Sequence, residues 1–148
     1  MFVIVVGGGK VGSYLASLLL AGGHQVRIIE SGAEQLGTLR RDLPPDVVVA
    51  GSGTDPRILE ASGIRQADTL AAVSGVDETN LAAASLARFE FGVPRIIARV
   101  NHPRNAWLFT PEMGVDAALN QADLIAHMVV EEMSLGDVTT LLKLRKGQ

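Results

Sequence analysis

Gly7, Gly9 and Gly12 stand in the spacing G-x-G-x-x-G. They end the apolar run "FVIVV" and open "KVGSYLASLLLAGG", where apolar residues recur at helical spacing. A second apolar run, "QVRIIE", closes on Glu30, 23 residues after Gly7. The chemistry this set can do is to hold an anion. The first glycine permits a tight turn, the second lets a phosphate reach the backbone, and the third lets the helix pack closely against the sheet. The helix start then offers unpaired N–H groups and the positive end of its dipole. Glu30 adds selectivity, because a carboxylate there accepts hydrogen bonds from both ribose hydroxyls and repels a 2′-phosphate. No arginine follows in "ESGAEQ" to reverse that preference, so NADP is disfavoured. Plain strand-to-helix turns also use glycine, and surface acids also end strands; it is the coincidence of strand, glycines, helix and distant acid that points to a nucleotide.

Residues for catalysis are not visible beside this loop. His24, His102 and His127 are far apart and read as surface or satisfied histidines. There is no nucleophile elbow and no zinc-ligand set, and Lys10 lies inside the glycine fingerprint rather than in G-x-x-x-x-G-K-[ST]. The expectation is a binding protein, neither an enzyme nor a metalloprotein.

The elements that must position the loop follow from periodicity. "FVIVV", "QVRIIE", "DVVVA", "DTLAAVS", "RIIARV" and "VDAAL" alternate with helical patterns, and the strand runs are almost unbroken apolar, as in strands covered on both faces. This predicts an α/β fold, a doubly wound, mostly parallel six-stranded sheet of Rossmann type, with strands near 1–6, 25–30, 46–50, 68–73, 95–100 and 115–118. The first helix places Val11, Tyr14, Leu15, Leu18 and Leu19 on one face. Ser31 with Glu34 reads as a capping box, Asp55 precedes Pro56 at a helix start, Asn120 precedes Asp123 by three, and Asp77 reads as a helix N-cap rather than a cleft residue.

With 148 residues the chain suits one domain, expected over 1–140, with 141–148 ("LLKLRKGQ") as a linker or tail toward a further domain. It has no cysteine, a net charge of −3 and scattered arginines, which argues against disulfide chemistry and against a nucleic-acid footprint. Every apolar run is broken well short of the about 18 residues that a membrane span needs.

Further segments narrow the reading. "VVVAGSGTDPRILEASGIRQAD" follows the third strand, "AAVSGVDETNLAAASLAR" the fourth, and "PRIIARVNHPRN" covers the fifth. In that succession the chain resembles the N-terminal nucleotide-binding (RCK or KTN) domain of the regulatory subunits of Trk/Ktr-type potassium uptake systems, over nearly its whole length. The resemblance implies a cytoplasmic regulatory module at the inner face of the membrane. It would bind NAD(H), ATP or ADP without turnover, assemble as dimers or rings, and gate a membrane-embedded potassium transporter or channel subunit.

By the same resemblance, the amides of Gly9, Lys10 and Val11 hold phosphate, Glu30 holds ribose, and residues after the third strand edge the adenine. Ser74 and Gly75 border the cleft, and Arg99 reaches phosphate. Arg99 also has a plainer reading as a strand-end arginine that neutralises a carboxylate or reaches the surface. Where the family carries "GDAT", this chain has Gly51, Ser52, Gly53 and Thr54. The shorter, neutral Ser52 replaces an aspartate, and the Gly53 amide keeps a donor for the ring. A fragment of an NAD-dependent oxidoreductase and the regulatory domain of a potassium channel or potassium/proton antiporter are the alternatives. The last helix carries an apolar stripe of Leu124, Ile125, Met128 and Val129, widened by Val130, Met133 and Leu135, and this predicts at least a homodimer unless the helix folds back on its own sheet.

Overall fold

A computed structural model describes residues 1–146. Six strands form one sheet: β1 (Phe2–Val6), β2 (Gln25–Glu30), β3 (Val48–Ala50), β4 (Thr69–Ala72), β5 (Arg95–Val100) and β6 (Ala117–Asn120). Their order is β3-β2-β1-β4-β5-β6 and every neighbouring pair is parallel. The expected doubly wound sheet is therefore present, wholly parallel, with β3 beginning two residues late and β6 displaced two residues along the chain. Five helices connect and follow the strands: α1 (Lys10–Ala21), α2 (Ala33–Asp42), α3 (Pro56–Ala61), α4 (Asp77–Ser85) and α5 (Gln121–Lys146). α4 runs on through a wider π-turn at Leu86–Glu90, and short 3-10 turns at Pro103–Leu108 and Pro111–Met113 link β5 to β6. Of the tail expected at 141–148, residues 141–146 continue α5, and 147–148 lie outside the described residues.

Two apolar layers sandwich the sheet. Ile4, Val6 and Leu70 pack with Leu59 of α3 and Ala83 and Ala84 of α4 on one face. Val3, Val5, Val26 and Ile28 meet Ala16 of α1 and Leu39 of α2 on the other. The face of α1 that reaches the strands is built from Gly12 and Ala16, both buried. Small residues one turn apart let the helix axis come close, and Leu15, Leu19 and Leu20 pack beside them. Of the apolar face expected of α1, Leu15 and Leu19 meet this layer, while Val11, Tyr14 and Leu18 are 42%, 68% and 54% exposed. With Val3, Ile97 and Leu119 they border an apolar groove of about 710 Å³ beside β1, β4, β5 and β6.

Helix starts follow the expected pattern at two places and depart from it at two. Asp55 accepts from the Arg57 amide at 2.9 Å, with Pro56 in the first helical turn, and Asn120 Oδ1 accepts from Asp123 N at 3.1 Å. The Ser31/Glu34 capping box does not form. Gly32 is the N-cap of α2, and the amides of Ser31 and Gly32 donate to Glu30 Oε2 at 2.9 and 2.7 Å. A charged carboxylate is the stronger acceptor for those amides than a hydroxyl. Asp77 is likewise not a cap: Val76 holds the N-cap position of α4, and Asp77 is its first helical residue.

Candidate functional site

The strand order reverses between β1 and β4, and a cleft opens there beyond the carboxyl ends of the strands, where ligands of open parallel sheets bind. The cleft has a volume of about 550 Å³. Of the residues singled out in the sequence, Gly7, Gly9, Lys10, Val11, Glu30, Ser52, Gly53, Ser74, Gly75 and Arg99 line it. Gly12 does not: it lies beneath the loop, where an added Cβ would stand 1.7 Å from the Gly7 carbonyl oxygen. Gly7 has φ +107°, and a Cβ there would press within 2.7 Å of the Ser74 backbone, so the first glycine also lets the loops after β1 and β4 meet. At Gly9 a Cβ would meet nothing within 4 Å, which marks open space on the cleft side.

Gly9 is the N-cap of α1 and no side chain caps that end. The first N–H groups of the helix have no intrahelical partner, and no acid sits in the first turn to offset the dipole. Glu30 faces this end. Its Oε1 accepts from Gly8 N at 2.7 Å while Oε2 takes the Ser31 and Gly32 amides, so one carboxylate ties the glycine loop to the β2–α2 turn. A carboxylate has about four lone-pair sites, and three donors leave room for a further one.

Asn80 fixes the opposite wall. It is fully buried; its Oδ1 accepts from Ser74 N at 2.9 Å, and its Nδ2 donates to Ser74 O at 2.8 Å and to Arg99 O at 3.0 Å. Ser52 bends back on its own turn, its hydroxyl 2.7 Å from that of Thr54. Arg99 reaches across the mouth. Nη2 donates to Gln121 Oε1 at 2.6 Å, Nη1 is 3.5 Å from Val73 O, and Nε is buried without a partner. Of the two forms of its plainer reading, the carboxylate pair is not formed among the described residues. An uncapped helix start, open space at Gly9 and an orphaned buried arginine donor fit an anionic group, and an acceptor facing them fits a sugar.

Ser31, Gln35, Thr79 and Gln121 also line the cleft and were not singled out in the sequence. Gln121 arrives through strand register, because β5 pairs Arg99 with Leu119 and Val100 with Asn120, and Gln121 follows directly as the first residue of α5. Only the register of β6 could have revealed it. His24, His102 and His127 are outside the lining, and among the described residues no group of three or more His, Cys, Asp or Glu could hold a metal.

Asp77 supports the cleft from below. The buried carboxylate accepts from Asn101 N at 2.6 Å, His102 N at 3.0 Å, Asn105 Nδ2 at 2.8 Å and Asn101 Nδ2 at 3.1 Å. Burial alone would raise its pKa, but these donors outweigh it and bring the carboxyl from 3.8 down to about 2. A depressed carboxylate stabilises the fold above its unfolded value and loses that contribution as pH falls through the folded one. Asp77 should therefore contribute fully above about pH 4 and progressively less toward pH 2. Asp77→Asn, which turns an NH2 group toward donors, should cost about 2 to 4 kcal/mol in urea unfolding at pH 7 and flatten the acid limb between those pH values.

The sequence profile of the TrkA-N domain matches residues 3–121. The "Trk system potassium uptake protein TrkA" of Mycobacterium tuberculosis is 34% identical over 148 residues, all of this chain and 66% of that protein. A homolog of the same description from Methanothermobacter thermautotrophicus is 35% identical over 147 residues, 99% of this chain and 67% of that one. The chain thus spans about two thirds of the length of these relatives. Among solved structures, the TrkA-N domain of the Escherichia coli inner membrane protein ybaL superposes with a TM-score of 0.75 at 24% identity, covering 88% of this chain and 94% of that one. The GsuK channel bound to NAD gives 0.76 at 21% identity, over 92% of this chain and 24% of the channel. These likenesses show the fold. Because the profile covers most of the chain and the two curated relatives match it from end to end, the protein belongs to the TrkA-N domain family.

Proposed function

We propose that the chain is a nucleotide-sensing regulatory module that takes NAD(H), ADP or ATP into its cleft without transforming it, and so controls a potassium-transporting membrane partner. The observation that carries this reading is the convergence of the uncapped α1 start, the free Nε of Arg99 and the Glu30 carboxylate on one cleft. The amides of Gly9, Lys10 and Val11, with Arg99, hold phosphate; Glu30 holds ribose; Ser74 and Gly75 form the far wall. The Ser52 hydroxyl is engaged by Thr54, so the adenine edge falls to the main chain of Gly53. The relatives described as Trk potassium uptake proteins support the partner class. GsuK solved with NAD or ADP, and a Kef C-terminal domain solved with AMP, support the ligand class. Those last structures also favour a second reading of the same module as part of a channel or antiporter.

An oxidoreductase role lacks support in the cleft. Among the described residues that line it, the charged ones are Lys10, Glu30 and Arg99, and no His or Tyr stands where a substrate would exchange a proton. No helix among the described residues is long and apolar enough to cross a membrane. Action from the cytoplasmic face of the membrane partner is part of the proposal and rests on the Trk relatives. Calorimetry with NAD, ADP and NADP tests the ligand assignment. NAD and ADP should bind unchanged by the protein, and NADP should bind more weakly by at least about 1 to 3 kcal/mol, because Glu30 repels its 2′-phosphate. Equal affinity for NADP and NAD would overturn the role of Glu30.

Assembly follows from α5. The helix leaves the sheet after β6, and among its described side chains Leu124, Ile125, Met128, Val129, Val130, Met133 and Leu135 are all about half exposed or more. A continuous apolar stripe of this length is normally buried between subunits. The proposed state is a homodimer or a larger ring formed through α5. Light scattering across a concentration series should show at least twice the monomer mass; a strictly monomeric mass at high micromolar protein, with and without nucleotide, would contradict it.

A further inference from the structure

Among the described residues, the one buried side-chain polar atom without a partner is Nε of Arg99. The rest of that guanidinium is held unevenly, loosely by the Val73 carbonyl at 3.5 Å and firmly by Gln121 Oε1 at 2.6 Å. A guanidinium is a rigid planar fork, so fixing one nitrogen fixes the direction in which the others donate. Gln121 is placed to do this by two features. The Arg99–Leu119 and Val100–Asn120 register brings it beside Arg99, and the bond from Asp123 N to Asn120 starts α5 at that residue. Both side chains line the cleft.

We propose that Gln121 is a positioning residue for the anion: it holds the Arg99 guanidinium at the edge of the cleft, and it joins a phosphate bound there to the first turn of α5. The proposal rests on the nucleotide reading of the cleft. A neutral amide suits the task, since it accepts from the guanidinium without cancelling its charge, whereas a carboxylate in the same place would pair with Arg99 and repel a phosphate. Coupling between two contacts is reciprocal. If the Gln121 contact favours phosphate binding, phosphate binding favours that contact and the helical turn that carries it. The helix so affected is the one that exposes the apolar stripe, which gives nucleotide occupancy a short path to the assembly surface.

ADP titrated calorimetrically into the wild-type chain, Gln121→Met and Gln121→Glu tests this, with adenosine as the phosphate-free probe by thermal shift and amide exchange followed over residues 122–127. ADP affinity should fall about three- to tenfold in Gln121→Met, the net worth of one ordinary hydrogen bond since the contact acts through Arg99, and further in Gln121→Glu. The stabilisation by adenosine should be the same in all three proteins. ADP should slow exchange at the start of α5 in the wild type but not in Gln121→Met. Wild-type affinity and wild-type protection in Gln121→Met would overturn the positioning role while leaving nucleotide binding intact. Equal losses for ADP and adenosine would also overturn it, as general damage to the cleft. A wild-type chain that takes neither ADP nor NAD would remove both this role and the function on which it rests.

Discussion

Gly9→Val should abolish measurable nucleotide binding, with a loss of at least about a hundredfold, or roughly 2.7 kcal/mol, while the protein stays folded. The two halves of that expectation have separate physical grounds. The backbone at Gly9 is extended, with φ −75° and ψ −158°, a conformation open to any residue, and its Cβ position is clear of protein atoms for 4 Å. The fold therefore pays little beyond exchanging a tolerable N-cap for a poor one, about 1 kcal/mol. The clear space is the cleft itself, directly over the first amides of α1, where a branched side chain displaces the phosphate and covers its donors. Calorimetry with ADP, paired with a thermal melt, reads both halves. A folded Gly9→Val protein that kept its affinity would place the ligand elsewhere.

Gly12→Val, three residues on, should destroy the fold rather than the binding alone. Its Cβ would lie 1.7 Å from the Gly7 carbonyl oxygen and 2.9 Å from the Gly7 carbonyl carbon, both backbone atoms. Gly7 cannot retreat, because it is held at φ +107° with the Ser74 backbone close behind it and its amide bonded to Ile29 O at 2.9 Å. The clash must be relieved by lifting α1 from the sheet, which uncovers Val5 and the packing around Ala16. The expected cost exceeds about 4 kcal/mol, in the range that core overpacking reaches only when backbone has to move. Chemical denaturation or loss of soluble expression would register it. A Gly12→Val protein melting within a few degrees of the wild type would refute the tight approach of loop and helix.

The contrast between these two glycines marks what the sequence could and could not convey. The fingerprint named both, and the βα alternation located the strands to within two residues, because each strand run is apolar enough to announce burial on two faces. What covers an apolar face is a different matter. Val11, Tyr14 and Leu18 have the spacing of a core stripe, yet Gly12 and Ala16 took the contact with the sheet because they are small, and the larger residues were left beside an open groove. Polar residues misled for a related reason. Ser31 and Asp77 carry the side chains that cap helices, but Glu30 and the Asn101–Asn105 loop offered stronger charge-assisted pairings from outside the local sequence. Gln121 had no local signature at all, since its place at the cleft depends on pairing between β5 and β6.

Backbone amide NMR of the nitrogen-15-labelled chain during an ADP titration tests the central claim most directly. The account predicts saturable shifts concentrated at Gly7 to Gly12, Glu30 to Gly32, Gly51 to Gly53, Ser74 to Val76 and Arg99, with ADP recovered intact at the end. Shifts confined to the apolar groove of Tyr14 and Leu18, or no shifts at millimolar ADP and NAD, would contradict it.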